Sequence, residues 1–410
     1  MKRCNWRICN LFLLLFLLIV EYSSAQTISD IRFIGLKRTK YSYLRDFVVH
    51  TKVGDKVDSA KIKKDVQEIY NLRHFESVRF TLMNIDSQQV ELHFIINETF
   101  SMFPMADVGF TKDFIRYQVG FIDFNTFGRS GTTTIYVRQF GAISFGLNGD
   151  YPFLLGKRHG MSVDLLRQGS LEPIWNNEVK NEYKYDLYTA AFLWRYDFNL
   201  RSYLRVGGGF QQERLEPHYI ENLDSNYPRV AKHNRVLYRL NYRYTFINLK
   251  RVTQKGVYFD LNYQVIIPSV EKNILYGNSW RLQTDFRVYT PTFRGSNIAA
   301  RLRLGIGESA LLDQFVLDDN TNIRGIGFKR YRSNYELVLN LENRQTLFTH
   351  PLGIVQAVIF NDFSPGHNYS GLGLRVYAEP LHGIVFRIDY GMSTPSFNDG
   401  GLVAGIHQYF

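Results

Sequence analysis

The stretch Gly256–Ile267, GVYFDLNYQVII, sets Val257, Phe259, Leu261, Tyr263 and Val265 against Asp260, Asn262 and Gln264. In an extended chain successive side chains point to opposite faces, so this spacing predicts a strand with one apolar and one polar side. The alternation recurs outward in both directions. Val236, Tyr238, Leu240, Tyr242 and Tyr244 alternate with Arg235, Arg239 and Arg243. Trp280, Leu282, Phe286 and Val288 alternate with Arg281, Gln283, Asp285 and Arg287, and Ile298, Ala300, Leu302 and Leu304 with Arg301 and Arg303. A soluble sandwich alternates too, but seldom places Tyr, Trp and Phe so often at strand ends. A transmembrane barrel accounts for both features, with apolar and aromatic side chains toward lipid and polar ones inward. Closure also removes exposed sheet edges.

Strand starts are expected near residues 102, 116, 132, 141, 159, 182, 201, 234, 255, 279, 296, 334, 353, 370, 383 and 400. That is about sixteen antiparallel strands within residues 101–410, an even number as bacterial barrels have. The intervals Gly169–Asn181, Glu213–Lys232 and Glu308–Asn334 read as extracellular loops. Gly207–Gly209, inside a strand, reads as a kink or bulge. Period two does not separate an open pore from a packed interior.

The chain begins with Lys2, Arg3 and Arg7, then the apolar run Leu11–Val20, then Ser23-Ser24-Ala25. This is the pattern of a secretory leader over residues 1–25, too short to span a bilayer as a helix. Both cysteines, Cys4 and Cys9, fall within it, which excludes a disulfide framework from the rest. The formal charge of +11 suggests nucleic acid in an intracellular protein. In an exported chain, anionic headgroups or an ion-lined lumen fit better, and nucleic acid is not an expected partner. An aromatic-rich exported chain without an apolar helix is expected in the outer membrane as a barrel.

Residues 26–100 have a different pattern, β-α-α-β-β. Thr27–Ile34 is a short strand closed by Gly35, and Tyr41–Val49 a helix with Tyr41, Leu44, Phe47 and Val48 on one face. Asp58 or Ser59 can cap a second helix through Leu72, with Ile62, Val66, Ile69 and Tyr70 at helical spacing. Strands Ser77–Met83 and Gln89–Ile96 follow. A sheet this small holds no large ligand pocket. Its edge, taken here at Gln89–Ile96, can accept an extended peptide by main-chain hydrogen bonds. The alternative is a rigid spacer.

Thr321–Tyr331, TNIRGIGFKRY, sits in the longest non-alternating interval. Arg324 and Gly325 lie among Ile323, Ile326 and Phe328, residues that favour burial, so either this is an ordinary loop or its tip packs back on protein. In the second case Arg324 needs a carboxylate, since a buried charge is costly unless paired. Alternation places Glu342 on the strand from Tyr335 to Arg344, and Asp362 on the next, facing inward. Arg324 could dock between them with charge-assisted hydrogen bonds. Local pairing, such as Arg387 with Asp389, is the other possibility.

Several segments together resemble known families. Ile31-Arg32-Phe33-Ile34-Gly35-Leu36-Lys37, Val53-Gly54-Asp55-Lys56-Val57-Asp58 and Phe75-Glu76-Ser77-Val78 are similar to a POTRA domain, present once. The rest resembles the BamA/TamA-type outer-membrane assembly family (the bacterial surface antigen family). Ile323-Arg324-Gly325 matches the start of its Val/Ile-Arg-Gly-aromatic loop signature, with Ile326 in place of the aromatic and Phe328 following. Phe360-Asn361-Asp362 matches its Phe-x-Asp signature, with Ser364 where a glycine is usual. Gly371, Gly373 and Arg375, then Gly383, then Arg387 and Asp389, complete the barrel signature. Tyr409 and Phe410 end an alternating segment as a terminal-strand signal.

The resemblance implies an outer-membrane barrel with its POTRA domain in the periplasm. The implied role is in inserting or translocating proteins, with unfolded clients added at the POTRA edge and other assembly factors as further partners. The barrel's seam would lie between Met102–Phe110 and Leu402–Phe410. No HExxH, Walker loop or CxxC occurs, so neither enzyme activity nor a cofactor or metal is expected. A passive channel with an anion-preferring lumen and a structural surface barrel are the alternatives.

Overall fold

The computed structural model describes residues 26–410 except 73, 111–114, 177–178, 220–229, 251, 270–276, 294, 320, 379–384 and 407. The expected leader and Gly383 therefore lie outside the described residues.

The N-terminal unit follows the expected order. It comprises β1 (Thr27–Ile34), a helical turn Tyr41–Tyr43 widening into a π-turn at Leu44–Val48, a helix Ser59–Tyr70, β2 (Phe75–Asn84) and β3 (Gln89–Glu98). Asp58 caps the long helix, its carboxylate accepting from the amides of Ala60 and Lys61 at 2.8 and 3.1 Å. Such a cap contributes about 1 kcal/mol. Ile28, Leu44, Val48, Ile62, Ile69, Leu92 and Phe94 form the core. The widened turn buries Tyr43 instead of Tyr41.

One expectation is overturned. The sheet order is β1-β3-β2, so Gln89–Ile96 is the central strand and not an edge. β3 pairs in parallel with β1 and antiparallel with β2, which uses both of its main-chain rows.

The second unit is a sixteen-stranded antiparallel sheet curled into a nearly closed barrel. Its first half comprises β4 (Met102–Phe110), β5 (Ile115–Thr126), β6 (Gly131–Phe140), β7 (Ala142–Tyr151), β8 (His159–Asn176), β9 (Val179–Asn199), β10 (Ser202–Tyr219) and β11 (Ala231–Lys250). β12 (Thr253–Pro268), β13 (Ser279–Pro291) and β14 (Asn297–Glu308) follow. After a long loop come β17 (Tyr335–His350), β18 (Gly353–Ser364), β19 (His367–Ala378), β20 (Val385–Ser393) and β21 (Gly400–Ile406). Outward residues such as Phe121, Val137, Phe192, Tyr238, Ile359 and Leu372 are exposed, while Asn340, Gln356, Arg375 and Asp389 are fully buried inside. This is the apolar-out, polar-in division of a membrane barrel.

Two expectations about loops and one about a bulge are corrected. Gly169–Asn181 is mostly strand: β8 and β9 stay in register from His159↔Tyr196 to Asn176↔Val179. β10 likewise runs to Tyr219, through the first part of the interval expected as loop. Polar residues and Pro173 break the alternation there, although the main-chain pairing continues. Gly207–Gly209 make no bulge and keep unbroken register with both neighbours. A Cβ at any of them would overlap a neighbouring strand's main chain.

The long loop carries a short 3₁₀ turn (Leu311–Asp313) and a hairpin, β15 (Phe315–Leu317) with β16 (Tyr331–Ser333). β4 and β21 lie side by side, yet among the described residues no hydrogen-bonded register joins them. The terminal strand also ends earlier than expected. Tyr409 and Phe410 are not part of β21, and they turn into the lumen.

Candidate functional site: the lumen loop and its carboxylates

The loop's shape is set by its own side chains. The Asn322 carboxamide donates to the carbonyl of Val316 at 2.8 Å and accepts from the amide of Asp318 at 2.8 Å. Ile323 and Ile326 pack with Val338 and Tyr369, so the tip folds inward and Ile326 fills a core position. Phe328 is buried as well. From the walls, Arg301 donates to the carbonyl of Thr321 at 3.0 Å and Asn340 to that of Asn322 at 2.7 Å.

This framework aims Arg324 at the wall. Its Nε and one Nη each donate to Asp362 at 2.8 Å, and its amide donates to the same carboxylate at 3.0 Å. The other Nη donates to Glu342 and lies 3.6 Å from Asp389. The rings of Phe360 and Tyr409 lie 3.6 and 4.2 Å from the guanidinium carbon. Arg324, Glu342, Asp362 and Asp389 have no exposed side-chain surface.

The network extends beyond this pair. Glu342 also holds Arg344 at 2.7 Å, and Asp389 holds Arg375 at 2.6 Å and Arg387 at 3.2 Å. Gly373 leaves the room that the Arg375–Asp389 pair occupies. Both sequence possibilities hold together: Arg387 pairs with Asp389 locally, and Arg324 docks between Glu342 and Asp362.

A single rung crosses five strands: Glu342↔Phe360↔Gly371↔Gly391↔Gly401. The Phe360 ring lies over Gly371, and the loop backbone at Arg324–Gly325 rests against Gly391. Gly325 has φ +90°, and a Cβ there would overlap the carbonyl of Gly391. Glycine suits both needs, since it tolerates positive φ and lets backbones approach. The loop thus bears on β20 and β21, the last two strands before the seam.

The motif residues Ile323, Arg324, Gly325, Phe360, Glu342, Asp362, Gly371, Gly373, Arg375, Arg387 and Asp389 therefore meet on one wall, while Phe328 lies buried in the loop. The sequence reading did not foresee Tyr409 over Arg324. Its only signal was an aromatic at the end of an alternating run.

The two units share a built junction. Phe153, in the turn after β7, stacks on Phe47 at 4.4 Å and joins the POTRA-side core. Glu98 accepts from the amides of Lys37 and Thr39 at 2.6 and 3.0 Å, from the Thr39 hydroxyl at 2.7 Å and from Asn125 at 3.2 Å. Burial works against its ionisation, but these hydrogen bonds outweigh it and hold the carboxyl below its usual range.

One POTRA-like unit ahead of a sixteen-stranded barrel with an inward loop defines a class. Residues 26–99 match the POTRA family model, described as surface antigen variable number repeat. Among solved structures, the chain is similar to BamA from Haemophilus ducreyi lacking POTRA domains 1–3, with TM-score 0.57 and 12% identity over 93% of this chain and 84% of that one. It is also similar to CdiB from Escherichia coli, with TM-score 0.60 and 14% identity over 93% and 76%. CdiB from Acinetobacter baumannii matches with TM-score 0.56 and 13% identity over 93% and 73%. No curated protein matches. In fold, the chain is a sixteen-stranded β-barrel similar to those of BamA and CdiB, preceded by a unit that matches the POTRA model.

Proposed function

We propose that this chain assists the insertion or translocation of proteins at the bacterial outer membrane, with its POTRA domain in the periplasm. The observation that carries this reading is the seam. Every other strand of the barrel is hydrogen-bonded to a neighbour on each side, whereas β4 and β21 adjoin without a register among the described residues. A strand-shaped client can add to such unpaired edges by main-chain hydrogen bonds.

On the POTRA side the receiving edge is β2. The outer row of β1 is partly used, since the Tyr41 hydroxyl donates to the carbonyl of Ile31 at 2.6 Å and Thr27 bridges to Lys56. Among the described residues β2 pairs with β3 alone. A client is captured there and passed to the seam, and the Arg324 network holds the loop against β20 and β21 on one side of that seam.

The channel alternative rested on inward arginines. Most of those guanidiniums are paired with carboxylates, as in Arg235 with Glu213 and Asp313, Arg243 with Asp260, and Arg287 and Arg301 with Asp285. Pairing supports a braced interior over an anion-selective one.

In-cell photocrosslinking from Phe75–Asn84, and separately from Leu402–Ile406, tests the proposal. Discrete adducts to unfolded barrel or passenger proteins at both places are expected. No adducts at either, together with steady ion conduction by the purified barrel, would replace the proposal with the channel reading.

A further inference from the structure

The last residues form a third structure inside the lumen, besides the loop and the wall. Gln408–Phe410 lie outside the sheet. The Gln408 side chain accepts from Arg375 at 3.2 Å and donates to the Tyr377 hydroxyl, both on β19. Tyr409 then lies over the guanidinium of Arg324, and its hydroxyl donates to the carbonyl of Asp319 in the same loop at 3.4 Å. Phe410 is buried against Tyr289 on β13 and Ala299 on β14, with its main-chain oxygen accepting from Arg344 at 3.1 Å.

β13 and β14 are not neighbours of β21. β20, β19, β18 and β17 intervene in the sheet order. The segment therefore crosses the interior from the seam strand to a distant wall, touching the loop midway. We infer that Gln408–Phe410 is an internal strap: it ties the terminal strand to the β13–β14 wall and to Arg324, and so restrains opening at the seam.

The physical case rests on what holds β21. A strand with a ladder on one side only is weakly retained by main-chain bonds. The strap adds a buried aromatic anchor at Phe410 and a desolvated cation–π contact at Tyr409, both of which must be undone before the strand swings outward. Since Tyr409 touches Arg324, strap release and loop release are coupled through one guanidinium. This holds whether or not the chain handles protein clients, because it concerns the barrel alone.

The test uses the full chain purified in lipid, with amide hydrogen exchange read over Gly400–Ile406 and ion conductance read in planar bilayers. Tyr409→Ala is expected to speed exchange of Gly400–Ile406 roughly tenfold, with β8–β11 unchanged, and to lengthen conducting openings. A folded Tyr409→Ala barrel with wild-type exchange and conductance would overturn the strap. A reversible lock covers the case in which that variant does not fold. Ala299→Cys with Phe410→Cys is made in a background with Cys4→Ser and Cys9→Ser, which removes the chain's two other thiols. Oxidation is expected to slow exchange of Gly400–Ile406 and suppress openings, and reduction to restore both. Identical behaviour of the oxidised and reduced forms would refute the inference.

Discussion

Arg324 grips Asp362 with two side-chain hydrogen bonds of 2.8 Å, and neither side chain has any surface open to solvent. The arrangement is bidentate, so geometry as well as charge selects arginine. Removing one partner leaves a buried charge unpaired. Arg324→Ala should therefore cost about 3–5 kcal/mol and reduce the folded barrel. Arg324→Lys should recover only part, since an ammonium cannot span Asp362 and Glu342 in the same way. Thermal unfolding followed by the heat-modifiable gel shift measures both. Wild-type folding and activity in Arg324→Ala would rule out a bracing role.

Gly391 is the floor on which the loop rests. A side chain there would overlap the carbonyl of Arg324. Gly391→Val should lift the tip, at roughly 1–3 kcal/mol, and expose the Lys329–Arg330 segment to trypsin. Protection equal to wild type would show that the loop does not bear on β20.

Phe153 has the corresponding place at the domain junction, only 4% exposed among Tyr43 and Phe47. Truncation to Ala should cost about 3 kcal/mol of docking and loosen the POTRA domain on the barrel. Spin-label distances between the Ser59–Tyr70 helix and the turn near Lys157 should broaden. An unchanged distribution would place the anchor elsewhere, with Glu98 the next candidate.

His74 makes the POTRA domain acid-sensitive. Burial pushes its pKa from 6.5 down to about 4, against the opposing pull of Glu98. The folded state therefore favours the neutral ring, and the unfolded chain takes up a proton at higher pH. Stability is full above the unfolded value of 6.5 and falls as pH drops toward about 4. The loss should be about 2 kcal/mol at pH 5 relative to pH 8. Exchange over Gln89–Ile96, corrected for intrinsic rates, reports it, and His74→Phe should flatten that part of the profile. An equally steep fall in the variant would assign the effect to carboxylates.

Much of this protein was legible before its structure. Alternation alone located the barrel strands: the expected starts at 116, 279, 353 and 400 compare with Ile115, Ser279, Gly353 and Gly400. It also assigned Glu342 and Asp362 to the inner face, because in a strand the face follows from parity. Asp58 announced its helix by its chemistry. These are local properties, fixed by a few neighbouring residues and by whether lipid or polar interior lies on each side.

What only the tertiary structure decided is which elements meet. Parity does not tell that β3 lies between β1 and β2, so the edge expected at Gln89–Ile96 moved to Phe75–Asn84. Nor does it tell where alternation stops mattering. Gly169–Asn181 is mostly strand although polar residues and Pro173 break its alternation, and Tyr409 and Phe410 lie inside against Arg324, Tyr289 and Ala299. Pairing partners and lumen contacts join residues far apart in the chain, and their energies depend on packing that no single segment specifies.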